Sequence, residues 1–243
     1  MRRILIGGVC AMALCALVGV SAASAAEPAF FECAKVTGGK YKDGKCSTEG
    51  GKGGHEFVES AGGKAKFVTT SFSPFVPSIA GGKTFCQKFK TSGEVASGTT
   101  IKHLIITQSG CEGGPSKMCS NVLPEKKHTI VTNSLEATLG YIDAAEHRIG
   151  IDLRGEGGGH IEDFDCEGYE QENFGSAIGE LTPGPGAGQF TISLTTNPEG
   201  FQSYTSLEGG AEDVPLMNVN GTPFTGSLSG TITITAPKLV LKG

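Results

Sequence analysis

The feature that most constrains the fold is a series of short runs with strand character, each bounded by glycine-rich turns. "TISLTT" (191–196) and "GTITITA" (230–236) alternate apolar and hydroxyl residues, which is the period-2 pattern of a half-buried strand. "HRIGIDL" places Ile149, Ile151 and Leu153 on one face. Glycine accounts for 38 of 243 residues and has no collagen-like period. The sequence therefore predicts an all-β protein, an antiparallel β-sandwich or barrel of short strands with glycine-rich turns.

Further runs of similar length support about ten short strands. They are rich in β-branched and apolar residues and read "FVTTSF", "TIKHLIITQS", "HTIVT" and "KLVLK". "NSLEATLGYI" is ambiguous, because Leu135, Leu139 and Ile142 have helical spacing while its neighbours favour a strand. A strand and a short helix are equally compatible with this segment.

The N-terminal 26 residues have the three parts of a secretory signal peptide. Arg2 and Arg3 precede the apolar run 4–20, and small residues suited to signal peptidase follow. Cleavage after Ala25 or Ala26 leaves 18 lysines and arginines against 25 acidic residues, a net charge of −7. We expect residues 27–243 to form a single secreted β domain, extracellular or in the bacterial cell envelope, with no membrane insertion after cleavage.

Six cysteines remain after cleavage, and an even number in an exported chain predicts disulfides. No C-x₂-C pair is present for zinc or for thioredoxin-type redox chemistry. Proximity along the chain favours one of the 15 possible pairings. It joins Cys33 to Cys46, Cys111 to Cys119 and Cys86 to Cys166. The first pair would close a small N-terminal loop (33–46), whose Tyr41 could rest on the domain or meet a partner.

The acidic segment "HIEDFDCEGYEQEN" is the strongest candidate for chemistry. Asp163, Asp165 and Glu167 resemble the first half of a calcium loop, but Phe174 occupies the place of the final bidentate glutamate. Alternation with Phe164 and Cys166 also fits a strand with one charged face. Three interpretations remain open: a solvated strand, a weak Ca²⁺ site, and a catalytic site in which the carboxylates act together with His160. No other metal or cofactor is expected.

Other functional motifs are incomplete. "IAGGKTF" lacks the first glycine of a phosphate-binding loop, and "HEFVE" lacks the second histidine and the helical context of a zinc protease. No G-x-S-x-G sequence is present. The acidic net charge argues against nucleic acid as a partner.

Three segments resemble exported proteins of high-GC Gram-positive bacteria that are rich in cysteine and glycine. They are "FFECAKVTGGKYKDGKCS" from Phe30, "GCEGGPSKMCS" from Gly110 and "IVTNSLEATLGYID" from Ile130. The resemblance spans about Phe30 to Asp143, with weaker similarity to Gly179. It implies export and disulfides, and it carries no activity or functional residues to transfer.

Together these patterns favour a non-enzymatic exported protein with an interaction or structural role and an extracellular or cell-wall ligand. A secreted hydrolase that uses the acidic residues around 160–167, and a Ca²⁺-dependent adhesive module, are the alternatives. The sequence indicates neither the ligand nor the oligomeric state.

Overall fold

The computed structural model describes residues 27–50, 53–76, 83–114, 117–122 and 127–243, and the expected signal peptide lies outside them. The described residues form an all-β structure with one 3₁₀ turn, so the predicted fold class is confirmed. The strands in chain order are β1 (Ala29–Lys35), β2 (His55–Glu59), β3 (Gly63–Lys64), β4 (Lys66–Phe75), β5 (Thr84–Phe85), β6 (Lys88–Val95), β7 (Thr100–Ser109), β8 (Glu112–Gly113), β9 (Lys117–Asn121), β10 (Thr129–Val131), β11 (Leu135–Asp143), β12 (Arg148–Gly155), β13 (Glu162–Cys166), β14 (Glu170–Phe174), β15 (Ser176–Pro183), β16 (Gln189–Leu194), β17 (Leu216–Val219), β18 (Thr222–Thr225), β19 (Ser227–Thr235) and β20 (Leu239–Lys242).

The largest sheet curls into a nearly closed antiparallel barrel. Its nine strands follow the order β3-β6-β7-β11-β12-β15-β16-β19-β4, and β10 pairs with β7 beside this path. The two ends of this sheet approach each other through side chains, because the Thr91 hydroxyl on the second strand, β6, donates a 2.7 Å hydrogen bond to the Thr69 hydroxyl on the last strand, β4. The structure thus selects the barrel from the two predicted architectures.

The predicted strands are present, and their alternation fills the barrel. Ile151 and Leu153 on β12 are fully buried, and Ile232 and Ile234 on β19 are as well. The barrel core is apolar, and its largest buried members are Phe30, Phe72, Ile101, Leu104, Ile106, Leu135, Ile151, Leu153 and Ile192. Burial of these side chains, at about 25 cal/mol per Å² of apolar surface, is the main source of stability.

The ambiguous segment "NSLEATLGYI" is a strand, β11. Leu135, Ala137, Leu139 and Tyr141 are all buried, and the residues between them are half-buried. This strict period of two overrides the helical spacing of Leu135 and Leu139, because β7 and β12 supply hydrogen-bond partners on both edges.

A second sheet of seven strands curls into a partial barrel, which we call the half-barrel. Its order is β18-β17-β14-β13-β9-β8-β5. Its own apolar cluster is small and joins Phe164 on β13 to Ile130 on β10 and to three buried cysteines. The half-barrel therefore depends on disulfides more than the barrel does.

Three disulfides form, and one of the three predicted pairs is confirmed. The pairs are Cys33–Cys46, Cys86–Cys111 and Cys119–Cys166. The predicted Cys111–Cys119 and Cys86–Cys166 bonds are wrong.

The correction follows from strand pairing. Cys119 on β9 lies directly opposite Cys166 on β13, in register. Cys86 and Cys111 flank the paired strands β6 and β7, and the Gln87 amide donates a 3.0 Å hydrogen bond to the Ser109 carbonyl beside them. Distance along the chain is a poor guide here, because antiparallel pairing brings together residues that are 25 and 47 positions apart.

A third sheet of three strands, β2-β1-β20, packs against the barrel. Phe30 on β1 is fully buried in the barrel core, with its ring centre 5.1 Å from that of Phe190. Leu239 and Leu241 on β20 join the same core. The sheet thereby holds the N-terminal disulfide loop at the side of the barrel.

Candidate functional site

The acidic segment forms strand β13. A strand was one of the three interpretations that the sequence left open. Phe164 and Cys166 are 0% and 2% exposed, whereas Asp163 and Asp165, which alternate with them, are half-buried. Glu167 follows the strand in a left-handed turn conformation with φ of 52° and is exposed. One face of the strand is therefore buried, with Phe164, Cys166 and the carboxyl of Glu162, and the other carries the two aspartates.

The carboxylates of this segment contact different partners. Asp163 lies 2.6 Å from His160 Nδ1 and accepts a 3.2 Å hydrogen bond from Asn133. Asp165 accepts the Gly168 amide at 3.0 Å, and Glu167 accepts the Met118 amide at 3.3 Å. Asp165 therefore stabilises its own turn, whereas Asp163 and Glu167 also contact the distant residues Asn133 and Met118.

This arrangement brings together no complete catalytic or metal-binding set. In the parts of the chain that the structure describes, no group of three or more His, Cys, Asp or Glu side chains is placed to hold a metal ion. No serine or threonine hydroxyl among these residues hydrogen-bonds to the His160 ring, whose Nδ1 contacts Asp163. The Ca²⁺ site stays a prediction.

Part of the segment lines a shallow depression on the half-barrel. Asp165, Glu167 and Glu170 border a cavity of about 510 Å³ together with Lys127 and His128. Acidic and basic side chains both line this open depression, which is an ordinary polar surface. His160 and Asp163 do not take part in this cavity.

Strands β13 and β14 of the half-barrel carry an excess of negative charge. Residues 162–174, which form these two strands and the turn between them, include six acidic residues and no lysine or arginine. On the solvent face, Asp163 lies opposite Glu172, and Asp165 lies opposite Glu170. Like charges directly opposite each other destabilise a sheet. The negative charge of this face also repels anions and polyanions.

The N-terminal disulfide loop is organised by a carboxylate that the sequence reasoning did not identify. Asp43 accepts hydrogen bonds from the Lys45, Ser47 and Thr48 amides at 2.9, 3.2 and 2.8 Å, and from the Ser47 hydroxyl. Burial opposes ionisation, but these hydrogen bonds outweigh it and hold the pKa of Asp43 below its ordinary value. The Asp-Gly dipeptide at residues 43–44, a common turn sequence, was the available signal.

Tyr41 rests on the domain. Its ring meets that of Phe57 edge-on, with 5.3 Å between the ring centres, and its backbone pairs with His55. The Lys242 ammonium lies 3.4 Å from the centre of the Phe57 ring. Aromatic and cationic groups therefore fix the loop to β2 and β20.

A groove of about 1060 Å³ lies beside this cluster. It runs between the disulfide loop and the turn at residues 183–190. Its lining includes Phe57, Phe190 and Leu239, which are apolar, and the charged residues Glu32, Lys45 and Lys238. Neither lysine forms an ion pair among the described residues, so two cations remain available to a ligand.

Glu162 is the second group that the sequence reasoning missed. It is the one charged side chain among the described residues that is fully buried, with 0% exposure. Its carboxylate accepts hydrogen bonds from Gln108 Nε2 at 2.8 Å and from Asn173 Nδ2 at 3.0 Å. Its place two residues before Phe164 on the apolar face was the signal that could have found it.

No helix among the described residues is long and apolar enough to cross a membrane.

The comparisons add no family to this description. The chain matches no protein-family model, and neither the curated proteins nor the solved structures contain a significant match to it.

Proposed function

We propose that this is an exported, non-enzymatic protein that binds an extended chain of the extracellular or cell-wall matrix in the groove beside the N-terminal disulfide loop. The groove itself is the observation that carries the proposal. A concave site with an apolar floor and a few polar groups is the usual form of a ligand site. Three disulfides support an oxidising compartment, as the signal-like N-terminus also does.

The charges of the groove favour an anionic polysaccharide. Lys45 and Lys238 outnumber Glu32, and both ammonium groups are exposed. The acidic face of β13 and β14 repels the same polymer, so binding would orient the protein with its disulfide loop toward the matrix.

A hydrolytic function has weaker support. His160 and Asp163 pair with each other, while Asp165 and Glu167 bind backbone amides elsewhere. A carboxylate pair that cleaves glycosides must flank one bond across a cleft. The four side chains have no such common focus.

The test is co-sedimentation of the oxidised protein, residues 27–243, with insoluble cell-wall polysaccharides. One preparation carries carboxylates or phosphates, and the other has been chemically neutralised. We expect binding to the anionic polymer that salt weakens. A double variant, Lys45→Glu with Lys238→Glu, should weaken binding roughly tenfold.

The matched control reverses the same number of charges elsewhere. Lys88 and Lys90 are exposed on the outer face of β6, outside the groove. Lys88→Glu with Lys90→Glu should leave binding within about twofold of the unmodified protein. Absence of binding to every polymer, or equal losses in both double variants, would contradict the groove as the site.

A further inference from the structure

We propose that Glu162 is a pH-responsive latch between the barrel and the half-barrel: its protonated carboxyl closes the seam between the two sheets, and its ionised carboxylate loosens it. This inference is independent of the ligand in the groove. It is carried by the placement of one carboxyl group between amide side chains from both sheets.

Glu162 joins elements of different sheets. It lies on β13 of the half-barrel, and one of its hydrogen-bond donors, Asn173, lies on the adjacent strand β14. The other donor, Gln108, lies on β7 of the barrel, so the 2.8 Å hydrogen bond between them crosses the seam. All three side chains are at most 3% exposed. Water therefore cannot replace these contacts while the seam is closed.

When Glu162 is ionised, the buried cluster has more hydrogen-bond acceptors than hydrogen-bond donors. The side-chain oxygens of Gln108 and Asn173 are buried and have no hydrogen-bond partner. A proton on Glu162 supplies an O–H donor, and a flip of one amide group lets its oxygen accept that hydrogen in place of the present N–H···O contact. Protonation thus removes a buried charge and satisfies one of the two unpaired oxygens, while the flipped NH2 group gives up its hydrogen bond to Glu162.

No cation compensates the charge. No lysine, arginine or histidine of the described residues forms an ion pair with Glu162. On the strands packed around it, Asp163 and Glu172 point to the opposite face of the half-barrel, and His160 contacts Asp163. Asp163 is the charged group whose field reaches Glu162, and it disfavours ionisation.

These surroundings place the titration near neutrality. Burial raises the pKa of Glu162 to about 7, against the two amide hydrogen bonds, which lower it. When the seam is open, Glu162 has an ordinary pKa and releases its proton more readily than it does when the seam is closed. The closed seam is therefore favoured at acidic pH, loses stability as the pH rises from about 4.5 to about 7, and changes little above that.

Few apolar side chains are buried at the seam to offset this loss of stability. The cluster that joins the two sheets contains Phe164, Ile130 and the disulfide cysteines, whereas the barrel has its own large core. Opening should thus involve β13 and β14 and leave the barrel closed. The Cys119–Cys166 bond keeps β9 with β13, so the two strands move together.

The first test measures the carboxyl directly in the unmodified protein. Carbon-13 NMR of the glutamate carboxyl groups should show one that titrates near pH 7, and the signal should be missing from Glu162→Gln. If every glutamate carboxyl titrates below pH 5, the proposal is wrong. The titration itself is measured in the unmodified protein, and the variant serves only to assign the signal.

The second test follows the seam by hydrogen exchange, corrected for the intrinsic pH dependence of exchange. Between pH 5 and pH 8 the opening equilibrium for amides of β13 and β14 should rise on the order of 50-fold. Amides of β12 and β16 in the barrel should stay protected. Equal protection of β13 and β14 at both pH values would overturn the latch.

The variants separate the buried carboxyl from general charge effects. Glu162→Gln has nearly the same shape and cannot ionise, so its opening should be independent of pH. Glu172→Gln removes one charge from the solvent face of the same strand pair. It should keep the pH dependence of the unmodified protein, and a flat profile in Glu172→Gln would assign the effect to the outer face instead.

Discussion

The ammonium nitrogen of Lys242 lies 3.4 Å from the centre of the Phe57 ring, above one face of the three-stranded sheet. The edge of that ring meets Tyr41 of the disulfide loop, and Lys40 beside it forms a 2.8 Å ion pair with Glu49. One aromatic side chain thus ties together β2, β20 and the loop. This cluster positions one wall of the proposed binding groove.

Replacement of Phe57 by leucine should destabilise the protein while it preserves apolar bulk. The change removes the ring contacts with Tyr41 and Lys242, which we expect to lower the free energy of unfolding by about 1–2 kcal/mol. Urea denaturation monitors this loss. Phe201→Leu is the control, because that ring is 42% exposed, and its effect should stay within about 0.5 kcal/mol. Equal effects at the two positions would show that Phe57 is not an anchor.

Removal of the Cys119–Cys166 bond should cost more stability than removal of Cys33–Cys46. The first closes a separation of 47 residues and the second one of 13. Loop entropy alone gives about 4 and about 3 kcal/mol, and the first pair is also buried in the half-barrel core. Paired Cys→Ala variants in chemical denaturation test this order.

Non-reducing peptide mapping tests the connectivity itself. Fragments that link Cys86 to Cys111 and Cys119 to Cys166 are expected. A Cys111–Cys119 linkage in the folded protein would contradict the register of β9 and β13.

Gly113→Ala should disturb the half-barrel core. A Cβ atom at this buried position would lie 3.0 Å from the sulfur atoms of both Cys119 and Cys166. Such crowding in a packed core costs about 1–3 kcal/mol. Gly63→Ala is the control, because a Cβ there meets nothing within 4 Å and the position is exposed. Thermal melting should separate the two variants clearly, and similar melting temperatures would rule out the predicted crowding.

Asp43→Ala should loosen the N-terminal loop and leave the barrel folded. The carboxylate accepts three backbone amides and one hydroxyl within the loop. Because these contacts lower its pKa, their contribution is present above the ordinary pKa of aspartate and is lost only as the pH falls through the lower, folded value. Hydrogen exchange at residues 45–48 should therefore stay slow at pH 4 in the unmodified protein and become fast in the variant. Unchanged exchange in the variant would show that the disulfide alone orders the loop.

The sequence by itself determined the strands and the use of the cysteines. Alternation of apolar and polar residues is a local property, so "TISLTT", "GTITITA" and "HRIGIDL" identify β16, β19 and β12 without any knowledge of their neighbours. The same alternation, of Phe164 and Cys166 with Asp163 and Asp165, supported a strand as one of the three interpretations of the acidic segment. An even number of cysteines was enough to predict that all six are bonded.

Only the tertiary structure decided which residues meet. The Cys119–Cys166 bond depends on the register of β9 against β13, and the Cys86–Cys111 bond depends on the pairing of β6 with β7. The contact between Gln108 and Glu162 depends on how the half-barrel closes over the barrel. Register and sheet curvature arise from the sum of many packing contacts between distant segments, so no single stretch of sequence encodes them.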